Sequence, residues 1–326
     1  MKPSFFGVPK YASFIEYCSS RKDLRRLQLI HGKVITGGIF HDDFIRAKLV
    51  SSYAACAQMT EAIFIFSCTN RQSTFLYNCL IRGYASLKLF HESLNTYRHM
   101  LLAGKQPDRC TLPSVLKSCT GLSALNLGRQ LHAFVLIHGF FHYVSNSNAL
   151  ISMYSKCGDL EVACQIFSNM PVRNKITWSA MIAGYGIHGK FNEVFNLLEE
   201  MLAARQLPDS VTCTAILMAY SHSGMIEFGR GFFEMMEERF GVKPSLEHYT
   251  CMVDMLGRAG HLEEAEALIL RMDKEPDGAL WRALLGACKM HGKIEVAKRV
   301  AEKVYGNHIC ESSPERFGGN KHDAGE

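Results

Sequence analysis

Residues 178–209, "WSAMIAGYGIHGKFNEVFNLLEEMLAARQLPD", follow the same pattern as residues 77–108, "YNCLIRGYASLKLFHESLNTYRHMLLAGKQPD", without insertion or deletion. Matching residues lie 101 positions apart, as in the pairs Tyr84 and Tyr185, Met100 and Met201, and Asp108 and Asp209. The same offset carries residues 8–108 onto residues 109–209. Self-similarity at a fixed spacing is typical of a repeat array. We therefore expect the function to lie on a surface built by stacked repeats.

Each of the two matching stretches, residues 8–108 and 109–209, divides into smaller repeats, and related repeats continue after residue 209. Together they give close to nine repeats with almost no linker. We predict a short N-terminal segment at 1–7, repeats at 8–42, 43–73, 74–108, 109–143, 144–174, 175–209, 210–245 and 246–277, a partial motif at 278–305, and a disordered tail at 306–326. The tail is polar, contains glycine and lacks a helical period.

Each repeat is expected to form two helices. In repeat 175–209, two apolar stripes at helical spacing lie on either side of Gly189, the first being Trp178, Met181, Ile182 and Tyr185 and the second Phe191, Val194, Phe195, Leu198 and Met201. A hairpin of this size cannot bury its stripe alone. The prediction is an all-α, right-handed α-solenoid of stacked helix-turn-helix repeats, with the first helices lining the concave face. Small residues are expected where helices approach closely, as at Gly184 and Ala163, and glycines at the turns, as at Gly158, Gly189 and Gly260.

Composition limits the possible classes of function. The hydrophobic content of 48% suits a well-buried interior, and the net charge of +5 permits a polyanionic partner without requiring one. No apolar run reaches the ~18 residues of a membrane span, so membrane insertion is not expected. The twelve cysteines are scattered, without the clustering of a disulfide framework or a zinc site. We interpret them as buried, reduced thiols.

The repeats resemble pentatricopeptide repeats of the plant type in which standard, long and short motifs alternate, known as the PLS arrangement. Residues 80–108 resemble the standard P motif, residues 150–174, "LISMYSKCGDLEVACQIFSNMPVRN", the short S motif, and residues 114–140, "SVLKSCTGLSALNLGRQLHAFVLIHGF", the long L motif. Residues 215–272 are similar to the L2 and S2 pair that closes such arrays. Residues 280–304, "LWRALLGACKMHGKIEVAKRVAEKV", resemble the first part of the E motif, so the E motif is expected to be truncated.

This resemblance implies sequence-specific binding of single-stranded RNA, one repeat facing one base. In the family, base choice falls on the fifth and last residues of each motif. Carried onto this sequence, the pairs are Ala12 with Asp42, Ala47 with Ser73, Asn78 with Asp108, Pro113 with Tyr143, Asn148 with Asn174, Ser179 with Asp209, Thr214 with Ser245, and Thr250 with Asp277. The family code implies U for Asn with Asp, a pyrimidine for Asn with Asn, and G for Ser or Thr with Asp. The L-type pairs resemble no reliable code.

These polar residues have a structural alternative, because Asp, Asn and Ser near a helix start commonly act as N-caps, each contributing about 1 kcal/mol. The recurrence of the pairs in register favours base contact. His31 and His132 resemble a characteristic L-motif histidine, for which we predict a packed structural role.

Catalysis is not expected from this sequence. Related PLS proteins can extend into a zinc deaminase, which needs a His-x-Glu segment and a Cys-x-x-Cys pair. His261-Leu262-Glu263 matches the first half by chance, and the sequence contains no Cys-x-x-Cys pair and no P-loop. We therefore predict no catalytic residues, no metal ligands and no cofactor.

Three functions follow in order. The first is a site-recognition factor for C-to-U RNA editing in a plant organelle, with a deaminase-bearing partner acting in trans. The second is organellar RNA processing, splicing, stability or translation, which a genuinely truncated E motif would favour. The third is a protein-binding helical scaffold. The resemblance implies the mitochondrion or, alternatively, the chloroplast, while the N-terminal residues give only weak support for import.

Overall fold

The computed structural model describes residues 7–273 and 275–309, and all regular secondary structure in these ranges is helical. The helices are α1 (Gly7–Arg21), α2 (Leu24–Thr36), α3 (Asp43–Ala55), α4 (Met59–Ser67), α5 (Thr74–Ser86), α6 (Phe90–Leu102), α7 (Thr111–Gly121), α8 (Leu125–Ile137), α9 (Val144–Lys156), α10 (Leu160–Asn169), α11 (Lys175–Ile187), α12 (Phe191–Ala203), α13 (Ser210–Ser223), α14 (Ile226–Phe240), α15 (Leu246–Arg258), α16 (Leu262–Leu270), α17 (Gly278–Met290) and α18 (Ile294–Ile309). A short 3-10 helix, Phe140–His142, lies between α8 and α9. Every predicted repeat interval contains two helices.

The chain divides into two compact bodies, an N-terminal one that ends at His188 and a C-terminal one that begins at Gly189. In the N-terminal body, helices α1, α3, α5, α7, α9 and α11 pack side by side, each against the next. In the C-terminal body, α13, α15 and α17 form the same kind of layer. The even-numbered helices pack against these layers, for example α6 on α5 and α7, and α14 on α13 and α15. The odd-numbered helices are therefore the first helices of the hairpins, as predicted.

A residue in the left-handed conformation follows every odd-numbered helix. These residues are Lys22, Ala57, Lys88, Ser123, Gly158, Gly189, Gly224, Gly260 and Gly292. The turns predicted at Gly158, Gly189 and Gly260 are confirmed. Where the residue is not glycine, the conformation costs about 1 kcal/mol, so the hairpin packing must offset it. The nine hairpins thus share one turn geometry even where their sequences differ.

Equivalent residues fill equivalent places in the core. Tyr53 and Tyr154 are buried, and so are Ala62 and Ala163. The close approach predicted at Gly184 is present, because a Cβ atom there would lie 2.5 Å from the Oγ of Ser155.

His31 and His132, which lie 101 positions apart, make the same contact. The Nδ1 atoms of His31 and His132 lie 3.0 Å from the hydroxyls of Tyr53 and Tyr154, respectively. In both pairs the rings meet edge to face, with centroids 5.5 Å apart. Burial lowers the pKa of both imidazoles below the ordinary value. The predicted packed role is confirmed for both histidines.

The prediction that the cysteines are buried is wrong in part. Of the cysteines that the structure describes, all are free thiols, five are buried, five are half-buried, and Cys110 is exposed. Cys110 lies at the N-cap of α7, before the apolar stripe of that helix begins, so its side chain is not directed into the core. Cys310 lies outside the described residues.

The C-terminal boundary also differs from the expectation. Helix α18 continues to Ile309, so residues 306–309, predicted as the start of the tail, are helical. The stripe that includes Val296 and Val300 carries the helix onward, because adding residues to a formed helix is easier than starting one. Residues 310–326 of the predicted tail, and residues 1–6 of the predicted N-terminal segment, lie outside the described residues, and α1 already includes Gly7.

Candidate nucleic-acid interface

Most last residues of the predicted pairs occupy helix N-caps. Side-chain oxygens of four accept hydrogen bonds from backbone N–H groups of the following helix, these four being Asp42, Asn174, Asp209 and Asp277. Ser73, Tyr143 and Ser245 also occupy N-caps, of α5, α9 and α15. The capping role considered as an alternative is therefore present. It leaves capacity for a ligand, since a carboxylate has about four acceptor positions.

The pair Asn78 and Asp108 is joined directly. Nδ2 of Asn78 donates to Oδ1 of Asp108 over 3.0 Å. The hydroxyl of Thr111 donates to Oδ1 of Asn78 over 2.7 Å, which fixes the orientation of the amide. Asn78 on α5 and Asp108, in the turn before α7, are thus held as one polar group.

Asp108 is held in its ionised form. Although partial burial alone would raise its pKa, hydrogen bonds from the backbone N–H groups of Cys110 and Thr111, and from the side chain of Asn78, bring the pKa below the ordinary range. The backbone bonds measure 2.8 and 2.9 Å. This interface therefore presents a fixed negative charge beside the amide of Asn78.

A similar contact joins Asn148 and Asn174, where Nδ2 of Asn148 lies 3.2 Å from Oδ1 of Asn174. Asn148 is only 7% exposed, and its Oδ1 is a buried acceptor that lacks a partner within the described residues. An unsatisfied buried acceptor costs about 1–3 kcal/mol.

The hydroxyl residues of the pairs bond to their own helices. Ser179 donates to the carbonyl of Lys175, over 2.8 Å. Thr214 and Thr250 make the equivalent bonds to the carbonyl four residues earlier, over 2.9 and 2.8 Å. The hydroxyl of Ser245 donates to the carboxylate of Glu247 over 2.7 Å. Thr214 and Thr250 retain hydroxyl lone pairs that can accept a hydrogen bond.

The remaining fifth residues have no polar side-chain group. Ala12 is buried in α1, whereas Ala47 and Pro113 are half-buried in α3 and α7. These three positions cannot read a base by a side-chain hydrogen bond. They can offer only an apolar surface.

A feature absent from our sequence expectations is a set of exposed apolar side chains one turn before several fifth residues. Phe44 and Phe75 are 54% and 52% exposed, and Ile176 and Val211 are 62% and 67% exposed. Each is the second residue of its helix and lies three positions before a predicted site residue, so both side chains share one side of the helix. An apolar residue outside the core stripe at the same place in several repeats is the sequence signal that could have found them.

Positive charges lie on the same first helices. The Nζ of Lys48 lies 5.2 Å from the ring centre of Phe44. Arg82 on α5 and Lys117 on α7 are exposed one turn after Asn78 and Pro113. Arg109, next to Asp108, is exposed and its guanidinium lies 4.8 Å from the ring centre of Tyr143. In the N-terminal body, exposed rings, polar pairs and cations thus occur together.

Within residues 7–273 and 275–309, no group of three or more His, Cys, Asp or Glu side chains could hold a metal ion. In the same ranges, no helix combines the length and apolar character needed to cross a bilayer.

Comparison with known families identifies the repeats. The PPR repeat matches residues 75–104, 147–174, 211–239 and 247–276, and the PPR repeat family matches residues 173–222. Among curated relatives in Arabidopsis thaliana, a putative pentatricopeptide repeat-containing protein is 37% identical over 94% of this chain and 42% of its own length. A mitochondrial pentatricopeptide repeat-containing protein is 35% identical over 91% of this chain and 46% of its own. The chloroplastic protein CRR2 is 35% identical over 85% of this chain and 42% of its own.

The fold is similar to that of a solved relative. The crystal structure of the pentatricopeptide repeat protein PPR10 in complex with an 18-nt psaJ RNA element aligns with a TM-score of 0.69 and 14% identity, over 87% of this chain and 43% of that chain. At this identity the likeness concerns the fold alone, which is an all-α solenoid of helical repeats. The chain spans about half the length of the curated relatives it matches.

Proposed function

Because the chain is a pentatricopeptide repeat protein, we propose that it binds single-stranded RNA with one repeat facing one base. The observation that carries this proposal is the hydrogen-bonded pair Asn78 and Asp108, which joins the fifth residue of one repeat to its last residue. Single-stranded bases expose their Watson–Crick edges, and successive repeats can present two or three side chains to each. The same arrangement recurs at Asn148 and Asn174.

The Asn78 amide is suited to reading a pyrimidine. One proton of its NH₂ group is directed to Asp108, and its carbonyl oxygen accepts from Thr111, so the second proton remains to donate to a base carbonyl. Uracil offers carbonyl oxygens as acceptors, and we propose U at this repeat. For Asn148 and Asn174 we propose a pyrimidine. For Ser179 with Asp209 and Thr250 with Asp277 we propose G, and the remaining pairs have no assigned base.

Stacking supplies the sequence-independent part of the affinity. The exposed rings of Phe44 and Phe75 lie one turn before Ala47 and Asn78, where a base facing either repeat can lie against them. Stacking of a base on an aromatic side chain contributes about 1–3 kcal/mol. Arg82 and Lys117, both exposed, add positive charge for the RNA backbone, whereas Lys48 is already paired with the carboxylate of Glu16.

We infer that the specific role is site recognition for C-to-U RNA editing in a plant organelle, with the deaminase supplied by a separate partner. The hairpin of α17 and α18, which carries the resemblance to the E motif, offers a surface for that partner. The alternative is a factor for organellar RNA processing, splicing, stability or translation, which needs only RNA binding. A protein-binding scaffold fits less well, since polar pairs recur in register beside exposed rings.

The location proposed is the mitochondrion, with the chloroplast as the alternative. Two of the relatives described above carry those organelles in their names, one each. A fluorescent fusion of the full-length protein in plant cells would distinguish them.

Filter binding tests RNA binding directly. The purified chain should retain single-stranded RNA from a random pool in preference to duplex RNA of the same length, and retention should fall as salt rises, because phosphate contacts release counterions. Equal retention of duplex and single strand would contradict the proposal. Retention of neither, by a folded chain, would favour the scaffold.

Crosslinking and sequencing of bound organellar RNA tests the editing role. Bound fragments should lie beside edited cytidines, and the purified chain alone should not convert cytidine. Bound fragments remote from edited sites would favour the alternative role in processing. Conversion by the chain alone would contradict the proposed division between recognition and catalysis.

A further inference from the structure

We propose that Arg109, packed on the ring of Tyr143, binds an RNA phosphate, so that repeat 109–143 holds the backbone without reading a base. This inference rests on the RNA binding proposed above. It assigns a chemical role to an L-type repeat whose fifth and last residues, Pro113 and Tyr143, correspond to no base.

The geometry leaves Arg109 available to an anion. Its guanidinium lies 4.8 Å from the ring centre of Tyr143, which is itself 40% exposed. Contact with the ring restrains the side chain and covers one face of the guanidinium, while the five N–H groups lie along its edge. No carboxylate within the described residues lies at salt-bridge distance from Arg109. The guanidinium carries its positive charge at neutral pH, since arginine is effectively always protonated in proteins.

The position of Arg109 suits a phosphate between two bases. Arg109 directly follows Asp108, the partner of Asn78, and Tyr143 directly precedes α9, which carries Asn148. Arg109 and Tyr143 therefore lie, along the chain, between the two pairs proposed to read bases, Asn78 with Asp108 and Asn148 with Asn174. Since α5, α7 and α9 pack in succession, the two residues also lie in the layer between the two pairs.

The repeat that holds Arg109 offers little else to a base. Its fifth residue, Pro113, has no side-chain donor or acceptor. One turn further along α7, Lys117 is exposed, and Arg82 occupies the equivalent place on α5. Arg109, Lys117 and Arg82 thus supply positive charge at and beside this repeat, which suits a phosphate.

Packing of arginine on an aromatic ring does not by itself create such a site. The guanidinium of Arg173 lies 4.3 Å from the ring centre of Phe167, but its N–H groups donate to the carbonyls of Phe167 and Ser168 over 3.0 and 3.2 Å. Arg46 packs on Phe40 but is buried and lies 3.6 Å from the carboxylate of Asp43. Arg109 differs from these two in being exposed and without a carboxylate partner. Arg21 on Tyr17 and Arg239 on Phe240 are exposed in the same way, but of the three only Arg109 directly follows a residue of a proposed base-reading pair.

The first test is the salt dependence of binding to a 14-nucleotide single-stranded RNA that the wild-type protein selects from a random library. Arg109→Gln should weaken binding several-fold at low salt and reduce the log–log salt slope by about 0.7, the value of one single-strand phosphate contact. Base preference at every position should remain unchanged. Arg98→Gln, which removes the same charge from an exposed site on α6, is the matched control and should leave the slope unchanged.

Two further variants test the role of the ring. Tyr143→Phe keeps the aromatic ring and should retain the wild-type slope, whereas Tyr143→Ala should lower it as Arg109→Gln does. The double variant Arg109→Gln/Tyr143→Ala should lose no more slope than either single variant. Arg173→Gln should lower the melting temperature without changing the slope, because its hydrogen bonds are internal.

The second test removes the charge of one RNA phosphate at a time. In each RNA, a single linkage is a methylphosphonate that follows a 2′-deoxynucleotide. One such linkage should lie between the nucleotides that face Asn78 and Asn148. Its neutralisation should lower the affinity of the wild-type protein, and the wild-type and Arg109→Gln proteins should then bind that RNA equally. An additive effect at all linkages would overturn the proposal, as would an unchanged salt slope in a folded Arg109→Gln protein. A wild-type protein that selects no RNA would instead contradict the proposed function itself.

Discussion

At the scale of single residues, the geometry of Asn78 and Asp108 allows capping and the proposed base contact together, two roles that the sequence alone could not separate. The oxygen of Asp108 that accepts the N–H groups at the start of α7 also accepts the amide of Asn78. Capping and base contact are therefore compatible in one side chain. The cap holds the carboxylate in place, and the carboxylate orients the amide.

Replacement of Asp108 by Asn should change base choice at one position. The oxygen of Asn can still cap α7, but the negative charge is lost, and the pair then resembles Asn148 with Asn174. We expect preference for U to relax toward either pyrimidine at that nucleotide, with other positions nearly unchanged. Binding to RNAs varied one nucleotide at a time measures this. A uniform loss at all positions would indicate damage to folding instead.

His31 and His132 predict a pH dependence of stability. Burial lowers the pKa of His31 and His132 in the folded chain, so the unfolded chain takes up protons first, near the ordinary value of about 6.5. Their contribution is therefore present above that pH and lost as pH falls through the folded pKa. The melting temperature should decline below about pH 6.5, and less steeply in a His31→Gln/His132→Gln variant. Parallel declines in the two proteins would refute this assignment.

At the scale of helices, the sequence predicted the hairpins well because their signals are local. Apolar stripes and turn glycines specify where each helix lies and where it ends. The left-handed turns at Lys22, Ala57, Lys88 and Ser123 had no glycine to mark them, and only the packing of the two helices requires that conformation. Contacts between repeats, such as that of Arg109 with Tyr143, depend on side-chain placement across helices. Spacing along the chain does not specify them.

Two glycines of α14 allow the effect of close packing on stability to be measured apart from the effect of helix propensity. A Cβ atom at Gly229 would lie 2.5 Å from the Cε of buried Met255, whereas one at Gly231 would meet nothing within 4 Å. Gly231→Ala should raise the free energy of unfolding by about 0.5–1 kcal/mol, since alanine favours the helix. Gly229→Ala should lower it by about 1 kcal/mol or more through overpacking. Urea denaturation compares them, and equal effects of the two changes would exclude the close approach.

At the scale of the whole molecule, the proposed function depends on the register of repeats. Within the N-terminal body, the two amide pairs are separated by one repeat, 109–143, which carries Arg109 and no base-reading side chain. A bound RNA should therefore show two specified nucleotides with one unspecified nucleotide between them. The resemblance to the family predicted, from the sequence, which repeats carry these pairs. The hydrogen bonds that join each pair became visible only in the structure.

The most direct test is selection of single-stranded RNA from a fully random library by the purified chain, followed by sequencing. The account predicts enrichment of a U and a pyrimidine separated by one unspecified nucleotide, because Asn78 with Asp108 and Asn148 with Asn174 flank repeat 109–143. Selection of single-stranded RNA without any spaced base preference, or no selection at all by a folded protein, would contradict it.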